Sequence, residues 1–171
     1  MRIFNAPRQT GFTVIEILIT VVVLGVIASL SSVSLLSWYS NKKLEDSLLK
    51  VQVSLQEAQQ SAASQGRTCE LTLAATANPP TISASPSSCL MEGQIELTGI
   101  NLRHSGGLNK LNFNYQGETG RFTPETLVLS SSDASKQYCL VIDGPLGLMR
   151  TGLYAENDPT GTTPSNCKTA P

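Results

Sequence analysis

The residues with the clearest chemical potential lie near the N-terminus, where a single carboxylate stands at the start of a long apolar run. Glu16 is followed by twenty residues without a charge, from Ile17 to Leu36. A carboxylate inside a bilayer costs about 2.5–3.5 kcal/mol on insertion scales, so an acidic residue in such a segment indicates a functional site. The chemistry expected of it is electrostatic, because a carboxylate in apolar surroundings requires a cationic partner.

A small residue precedes this run. Gly11 ends a short polar leader that carries Arg2 and Arg8. A secretory signal peptide would have a shorter apolar core of about 7–15 residues, with its cleavage site after that core. A plain membrane anchor explains the length of the run, since about 20 apolar residues span a bilayer. It explains neither Gly11 nor Glu16.

The combination of Gly11, Phe12, Glu16 and the apolar run resembles the class III signal sequence of type IV pilins and type II secretion pseudopilins. The resemblance implies that a prepilin peptidase cuts between Gly11 and Phe12, and that the new N-terminal Phe12 is methylated. It also implies that Glu16 pairs with the N-terminal amine of a neighbouring subunit. Residues 1–11 would be a leader peptide, and residues 12–36 the transmembrane half of a long helix.

Cysteines are the second group of reactive side chains, and all four lie beyond the apolar run. None forms a Cys-x-x-Cys pair, and His104 is the single histidine, so we predict no metal site. Two disulfides in an oxidising compartment are favoured, which places this part of the chain outside the cytoplasm. Four cysteines allow three connectivities. Sequential pairing closes the shortest loops and is preferred: Cys69–Cys89 and Cys139–Cys167.

The element that carries the N-terminal residues is predicted to be one helix from Phe12 to Gln65. Its second half, residues 37–66, is expected to be amphipathic, and Gly66 supplies a natural stop. Apolar residues spaced by alternating steps of four and three form a narrow stripe along this half: Leu44, Leu48, Val51, Leu55, Ala58 and Ala62. We expect the stripe to pack on the protein's own β-domain; a seam to another subunit is the alternative.

Residues 67–171 are predicted to form an extracytoplasmic β-domain, which gives an α+β fold class. Short strand-like runs alternate there with clusters of Gly, Pro, Asn and Ser, as in an antiparallel sheet or sandwich. The predicted strands are Cys69–Leu73, Gln94–Ile100, Lys110–Tyr115, Thr126–Leu129, Tyr138–Ile142 and Leu148–Tyr154. The last two should form a hairpin with a five-residue loop, Asp143 to Gly147. His104 is predicted to be an exposed loop residue.

Composition and motifs argue against several functions. The net charge is −1, and removal of a leader with Arg2 and Arg8 leaves 10 basic and 13 acidic side chains, a balance of −3. Such a chain lacks the basic footprint of a dedicated nucleic-acid domain. No Ser-His-Asp order, paired-carboxylate motif, phosphate loop or metal spacing is present in the sequence. We therefore predict a non-enzymatic protein without a cofactor.

Later segments are similar to the GspH/FimT family of minor pilins and pseudopilins. The similar segments are Leu111–Asn114 through Gly120, Thr126–Leu129, Cys139–Ile142 and Gly147–Arg150. The resemblance implies a long helix followed by a β-sandwich of two antiparallel sheets. That family often ends its last hairpin with Gly-Arg-x-Arg, and in some relatives this basic region binds DNA during natural transformation. Gly147 and Arg150 match the motif, whereas Leu148 replaces its first Arg.

The expected function is that of a minor pilin or pseudopilin subunit in the assembly of a type IV pilus or a type II secretion pseudopilus. The expected partners are other pilins, the prepilin peptidase/methyltransferase and the bacterial inner membrane, crossed once with the β-domain in the periplasm. One alternative is a DNA-uptake pilin that binds DNA through Arg150, Arg121 and Lys168. Another is a membrane-anchored binding domain that never polymerises. DNA is the less favoured partner because the basic residues are scattered.

Overall fold

The computed structural model describes residues 11–106, 108–155, 158 and 160–169, with no side chains described at 30–34. The chain divides into two compact units, one up to Leu36 and one from Ser37 onward. Within the described side chains, no helix is both long and apolar enough to cross a membrane. The predicted leader lies outside the described residues, apart from Gly11.

One α-helix, α1, spans Val14–Gln65. It ends where the sequence predicts, because Gly66 adopts a left-handed conformation with φ of 64°. The N–H group of Arg67 then donates to the carbonyl oxygen of Ala62 at 3.1 Å. This bond is the long one of a Schellman cap, which terminates a helix by satisfying its last carbonyl groups.

Nine strands follow α1 within the described residues. They are β1 Cys69–Ala74, β2 Thr81–Ser85, β3 Gln94–Glu96, β4 Asn101–His104, β5 Lys110–Phe113, β6 Glu125–Ser130, β7 Tyr138–Asp143, β8 Leu148–Tyr154 and β9 Cys167–Lys168. The strands form a four-stranded sheet in the order β3-β2-β1-β5 and a five-stranded sheet in the order β4-β6-β7-β8-β9. Every pairing is antiparallel, in agreement with the predicted α+β class.

The apolar stripe of α1 packs on the β-domain, which confirms the interpretation preferred from the sequence. All six stripe residues are at most 5% exposed. They share one core with inward side chains from both sheets. The sheet residues of this core include Leu71, Ile82, Leu111, Phe113, Leu127, Leu129, Leu140 and Ile142.

A smaller cluster lies on the opposite face of the five-stranded sheet, which we call the outer face. Side chains along a strand alternate between the two faces. In β7, Leu140 and Ile142 therefore belong to the main core, whereas Cys139 and Val141 belong to the outer cluster. The remaining members of the outer cluster are Val128, Tyr154 and Cys167. Through Cys167, the C-terminal segment thus contributes to a second apolar cluster that is separate from the main core.

The predicted run Gln94–Ile100 is not one strand. It contains β3, and β4 begins after it in the other sheet. Gly99, with φ of 74°, lies between the two strands and allows the chain to turn. The strand β2 was not predicted, because Ile82 is its single buried residue and the rest of Thr81–Ser85 reads as a polar loop.

Three further sequence-based details differ from the structure. The β7–β8 hairpin has a four-residue loop, 144–147, because Asp143 still pairs with Leu148. The fifth strand ends at Phe113, since the side chain of Asn114 accepts hydrogen bonds from two following backbone N–H groups and turns the chain. His104 is half-buried at the end of β4 rather than exposed in a loop, because β4 pairs with β6 at this position.

Candidate functional site

The carboxylate singled out by the sequence is bound to a threonine three residues before it. Glu16 Oε2 accepts a hydrogen bond from the Thr13 backbone N–H at 2.9 Å and one from the Thr13 hydroxyl at 3.0 Å. In return, Glu16 N–H lies 3.4 Å from Thr13 Oγ1. This reciprocal arrangement is a capping box, with Thr13 as the N-cap of α1. It explains why the helix begins at Val14 rather than at Phe12.

Thr13 is a site residue that the sequence interpretation missed, although its signal was present. A Thr followed three residues later by Glu, before an apolar run, is a helix N-terminus signature. The structure therefore gives Glu16 a local role in starting the helix. The hydrogen bonds from Thr13 do not use every acceptor position of Glu16, because an ionised carboxylate has about four of them. A cation can bind Glu16 while Thr13 remains bound.

The surface around Glu16 is apolar on all sides. Phe12 is 83% exposed, and large apolar side chains from Val14 to Ile27 are at least half exposed. The hydroxyls of Thr20 and Ser29 donate to backbone carbonyl oxygens of their own helix, at 2.8 and 2.7 Å. They therefore offer no strong hydrogen-bond donor to a neighbour. Among the described residues of the N-terminal unit, which ends at Leu36, Glu16 is the one that carries a charge.

The predicted processing residues lie just before the helix. Gly11 and Phe12 have no regular secondary structure. A side chain built at Gly11 would meet no atom within 4 Å, so the described residues leave this bond accessible. Cleavage between Gly11 and Phe12 stays a prediction.

All four cysteines are joined in the sequential pattern. Cys69 bonds to Cys89 and Cys139 bonds to Cys167, with Cα–Cα distances of 5.9 and 5.8 Å. The first bridge ties the start of β1 to the segment after β2. The second ties β7 to β9, across the intervening strand β8.

Arg150, a predicted DNA-contact residue, is bound within the protein. It lies on the outer face of β8, where its guanidinium donates to the carbonyl oxygen of Cys167 at 3.0 Å and to that of Pro164 at 3.2 Å. Its Nε lies 3.6 Å from the Asp143 carboxylate. A guanidinium with three partners in its own chain fixes the C-terminal segment, and its charge is partly balanced.

Arg121 and Lys168 do not join Arg150 in a basic cluster through any described contact. Arg121 forms an ion pair with Glu125 at 2.8 Å and donates to the carbonyl oxygen of Lys110 at 2.9 Å. Lys168 is exposed on the short edge strand β9. Among the described residues, no group of three or more His, Cys, Asp or Glu side chains is arranged to hold a metal ion.

Comparison with known proteins supports the N-terminal interpretation. Residues 6–32 match the prokaryotic N-terminal methylation motif. The match includes Gly11, Phe12, Thr13 and Glu16. No curated protein sequence matches the chain.

The fold is similar to that of the type IV minor pilin FimU of Pseudomonas aeruginosa strain PAO1, solved in two crystal forms. In the P21 form the TM-score is 0.50 at 15% identity, over 77% of this chain and 99% of FimU. In the P65 form the TM-score is 0.50 at 16% identity, over 73% of this chain and 100% of FimU. The chain therefore combines a prokaryotic N-terminal methylation motif with a fold similar to that of a type IV minor pilin. The finer resemblance to the GspH/FimT family stays a prediction.

Proposed function

We propose that this protein is a minor pilin subunit that takes part in the assembly of a type IV pilus or a type II secretion pseudopilus. The observation that supports the proposal most directly is the methylation motif at residues 6–32, followed by a minor pilin-like fold. The role is structural: the protein polymerises with other pilins and catalyses no reaction.

In the proposed pathway the precursor is inserted once into the bacterial inner membrane through residues 12–36. A prepilin peptidase then removes residues 1–11 and the new N-terminal amine of Phe12 is methylated. The β-domain lies in the periplasm, an oxidising compartment in which both disulfides are stable. Partners in the membrane and later in the filament are other pilins, which pack against the exposed apolar surface of the N-terminal unit.

Glu16 is the proposed docking charge. The Thr13 hydrogen bonds satisfy part of its carboxylate and orient it near the start of the helix. The amine of Phe12 in an adjacent subunit would complete its coordination and neutralise it in an apolar environment. A carboxylate without its cationic partner is strongly disfavoured in apolar surroundings. A charge pair of this kind therefore fixes how one subunit aligns with the next more than it raises the affinity between them.

The DNA-uptake alternative has no support in the described contacts. Non-specific DNA binding requires a cluster of free Lys and Arg side chains. Arg150 and Arg121 are instead bound to carbonyl and carboxylate groups of the same chain. We therefore do not propose DNA as a partner.

Processing tests the proposal. The full chain is expressed in a host with and without an active prepilin peptidase, extracted from the membrane, and examined by intact-mass spectrometry. The expected mature mass lacks residues 1–11 and includes one added methyl group on Phe12. Gly11→Val should retain the leader, because a branched side chain replaces the small residue before the cut. Gly25→Ala is the matched control and should be processed normally. Retention of the leader in wild-type protein with active peptidase would refute the proposal.

A further inference from the structure

Met91 presents its thioether to solvent from a segment whose backbone is held in place. Its side chain is 95% exposed. Its backbone N–H donates to Oε1 of Glu57, on α1, at 2.6 Å. Two residues earlier in the chain, Cys89 is joined to Cys69 of β1 by a disulfide. The exposure of Met91 is therefore a property of an anchored segment.

Met149, the other methionine in the part of the chain that the structure describes, has different surroundings. It lies in β8, where it pairs with Ile142 of β7. Its side chain is half-buried and packs against the main core. The two thioethers have the same chemistry but unequal access to solvent. Met149 can therefore serve as an internal reference for Met91.

The other sulfur atoms of the described residues are already oxidised. All four cysteines form disulfides, so none of them offers a free thiol. Methionine thioethers are oxidised to sulfoxides, and access of the oxidant to the sulfur governs which ones react. Met91 is therefore the described sulfur group most open to an oxidant in solution.

Met91 stands at the lip of an apolar groove between α1 and the segment that carries it. The groove has a volume of about 390 Å³. Leu90 and Ile95, which belong to the main core, line its buried part. Leu49 and Val53 of α1 line its open part, and each is more than half exposed. A change in the polarity of the Met91 side chain is thus a change in the surface of this groove.

We propose that Met91 is a site of oxidation by small oxygen-donating oxidants such as hydrogen peroxide, and that its sulfoxide makes the apolar groove polar at its lip. Oxidation converts a flexible apolar side chain into a polar, chiral one, and it disrupts apolar surfaces that contain methionine. Leu49 and Val53 share the groove with the new S–O group. This inference goes beyond the proposed function and depends neither on cleavage at Gly11 nor on assembly.

The covalent step transfers one oxygen atom. A lone pair of the Met91 sulfur attacks one oxygen of hydrogen peroxide, the O–O bond breaks and an S–O bond forms. The hydroxide that leaves takes the proton of the new S–OH group and departs as water. The sulfur loses two electrons, and the two peroxide oxygens together gain them.

Comparison of the two methionines in one sample tests the proposal. The full chain in peroxide-free detergent micelles is treated with hydrogen peroxide, and portions are quenched with catalase over time. Peptides that carry Met91 and Met149 are then quantified by mass spectrometry. We expect Met91 to be oxidised at least about fivefold faster than Met149, because access governs the rate.

The same treatment in concentrated guanidinium chloride is the control for the fold. Both thioethers are exposed in the unfolded chain, so their oxidation rates should agree within about twofold. A ratio below fivefold in the folded protein would overturn the proposal. A preference for Met91 that is equally large in denaturant would also overturn it, since the fold would then not determine the site.

Two matched variants test the effect on the groove. Met91→Leu and Met149→Leu each remove one thioether while nearly conserving side-chain volume. Methyl signals of Leu49 and Val53 are followed by NMR in ¹³C-labelled full chain, at the stage of peroxide treatment when Met91 is oxidised and Met149 is not. These signals should shift in wild type and in Met149→Leu, and should stay in place in Met91→Leu.

Val128, in the outer cluster on the far face of the five-stranded sheet, is the reference for the NMR measurement. Its methyl signals should not move in any of the three proteins. Unchanged Leu49 and Val53 signals after oxidation of Met91 would overturn the proposed effect on the groove. Shifts of the same size in Met91→Leu would overturn it as well, because they would arise without the sulfoxide.

Discussion

Glu16 and Thr13 bind each other reciprocally, so the carboxylate that the sequence marks for assembly also begins the helix. Thr13 donates to Glu16 from both its backbone N–H and its hydroxyl, and the distances of 2.9 and 3.0 Å are those of ordinary hydrogen bonds. The local role depends on Thr13, whereas the proposed assembly role depends on the negative charge. The two roles can therefore be separated by substitution.

We expect Thr13→Ala and Glu16→Ala to differ in assembly. Thr13→Ala removes the cap and should weaken the helix start by about 0.5–2 kcal/mol, while leaving the charge in place. Glu16→Ala removes the proposed docking charge and should lower incorporation into sheared filaments at least tenfold. The measurement is the ratio of filament to membrane protein by immunoblot.

Glu16→Gln is the control for the charge itself. It keeps an oxygen acceptor for Thr13 but cannot neutralise an amine, so it should behave like Glu16→Ala. Membrane insertion and cleavage should remain normal in all three variants. Filaments that incorporate Glu16→Ala at the wild-type level would show that Glu16 is not the docking charge.

A second prediction concerns Arg150. Arg150→Ala should loosen the segment around Pro164 and Cys167, which the disulfide to Cys139 still holds, and lower the free energy of unfolding by about 1–3 kcal/mol, because two carbonyl groups lose a charged donor. Arg150→Lys should restore little of the lost stability, since an ammonium lacks the planar fork of donors that reaches both carbonyl groups. Hydrogen exchange of the backbone amides of residues 165–168 is the measurement, and Lys136→Ala, at an exposed position, is the control. Unchanged hydrogen exchange in Arg150→Ala would show that the hydrogen bonds of Arg150 do not hold the C-terminal segment in place.

The turn at Asp158 predicts a dependence on pH. The hydrogen bond from the Tyr154 hydroxyl, with further ones from Gly161 and Asn166, holds the pKa of the Asp158 carboxyl below its usual value. A lowered folded pKa means that the carboxylate stabilises the fold above the unfolded value of about 3.9. This contribution is lost as the pH falls through the folded pKa. The stability difference between wild type and Asp158→Asn should therefore shrink as the pH falls below about 5. A stability difference that does not change with pH would contradict this role of the Asp158 carboxylate.

The buried stripe of α1 gives a fourth prediction with an internal control. Leu55 is fully buried against the β-domain, whereas Leu49 on the same helix is 53% exposed. Leu55→Ala should lower the free energy of unfolding by about 2–5 kcal/mol, since it removes core contacts and leaves a cavity. Leu49→Ala should change it by about 0.5 kcal/mol or less. Similar losses in the two variants would contradict the packing described.

Much of the fold could be predicted because it follows from local patterns. The stripe from Leu44 to Ala62 has helical spacing, and Gly66 supplies the stop that the structure uses. Strand Leu148–Tyr154 was predicted with its observed bounds, and the strands predicted at Cys69–Leu73, Thr126–Leu129 and Tyr138–Ile142 differ from the observed ones by one residue at one or both ends. The capping box at Thr13 was equally readable from the sequence, yet Glu16 was interpreted only through its apolar surroundings and the family resemblance.

Other features depend on long-range contacts that no local pattern carries. Polar strand β2 exists because β1 and β3 pair with it on both sides, and its own residues read as a loop. Arg150 matched a DNA-binding motif by its position near Gly147. Its carbonyl partners come from a segment 14 and 17 residues later, and only the return of that segment to β8 brings them together.

The last prediction concerns DNA, which the intrachain contacts of Arg150 and Arg121 make an unfavourable ligand. Phosphate binding requires clustered cations that are not already paired, and it falls steeply with salt. Arg150 and Arg121 have partners in the chain, which leaves Lys168 as the exposed member of the three candidate residues. We expect the full chain to bind duplex DNA no more tightly than about 10⁻⁵ M at physiological salt, the range of non-specific binding. Arg150→Ala and Lys168→Ala should change this little in fluorescence anisotropy. Tight, salt-sensitive binding that disappears in Arg150→Ala would show instead that the guanidinium leaves the carbonyl oxygens of Cys167 and Pro164 for a phosphate, and would favour a DNA-uptake pilin.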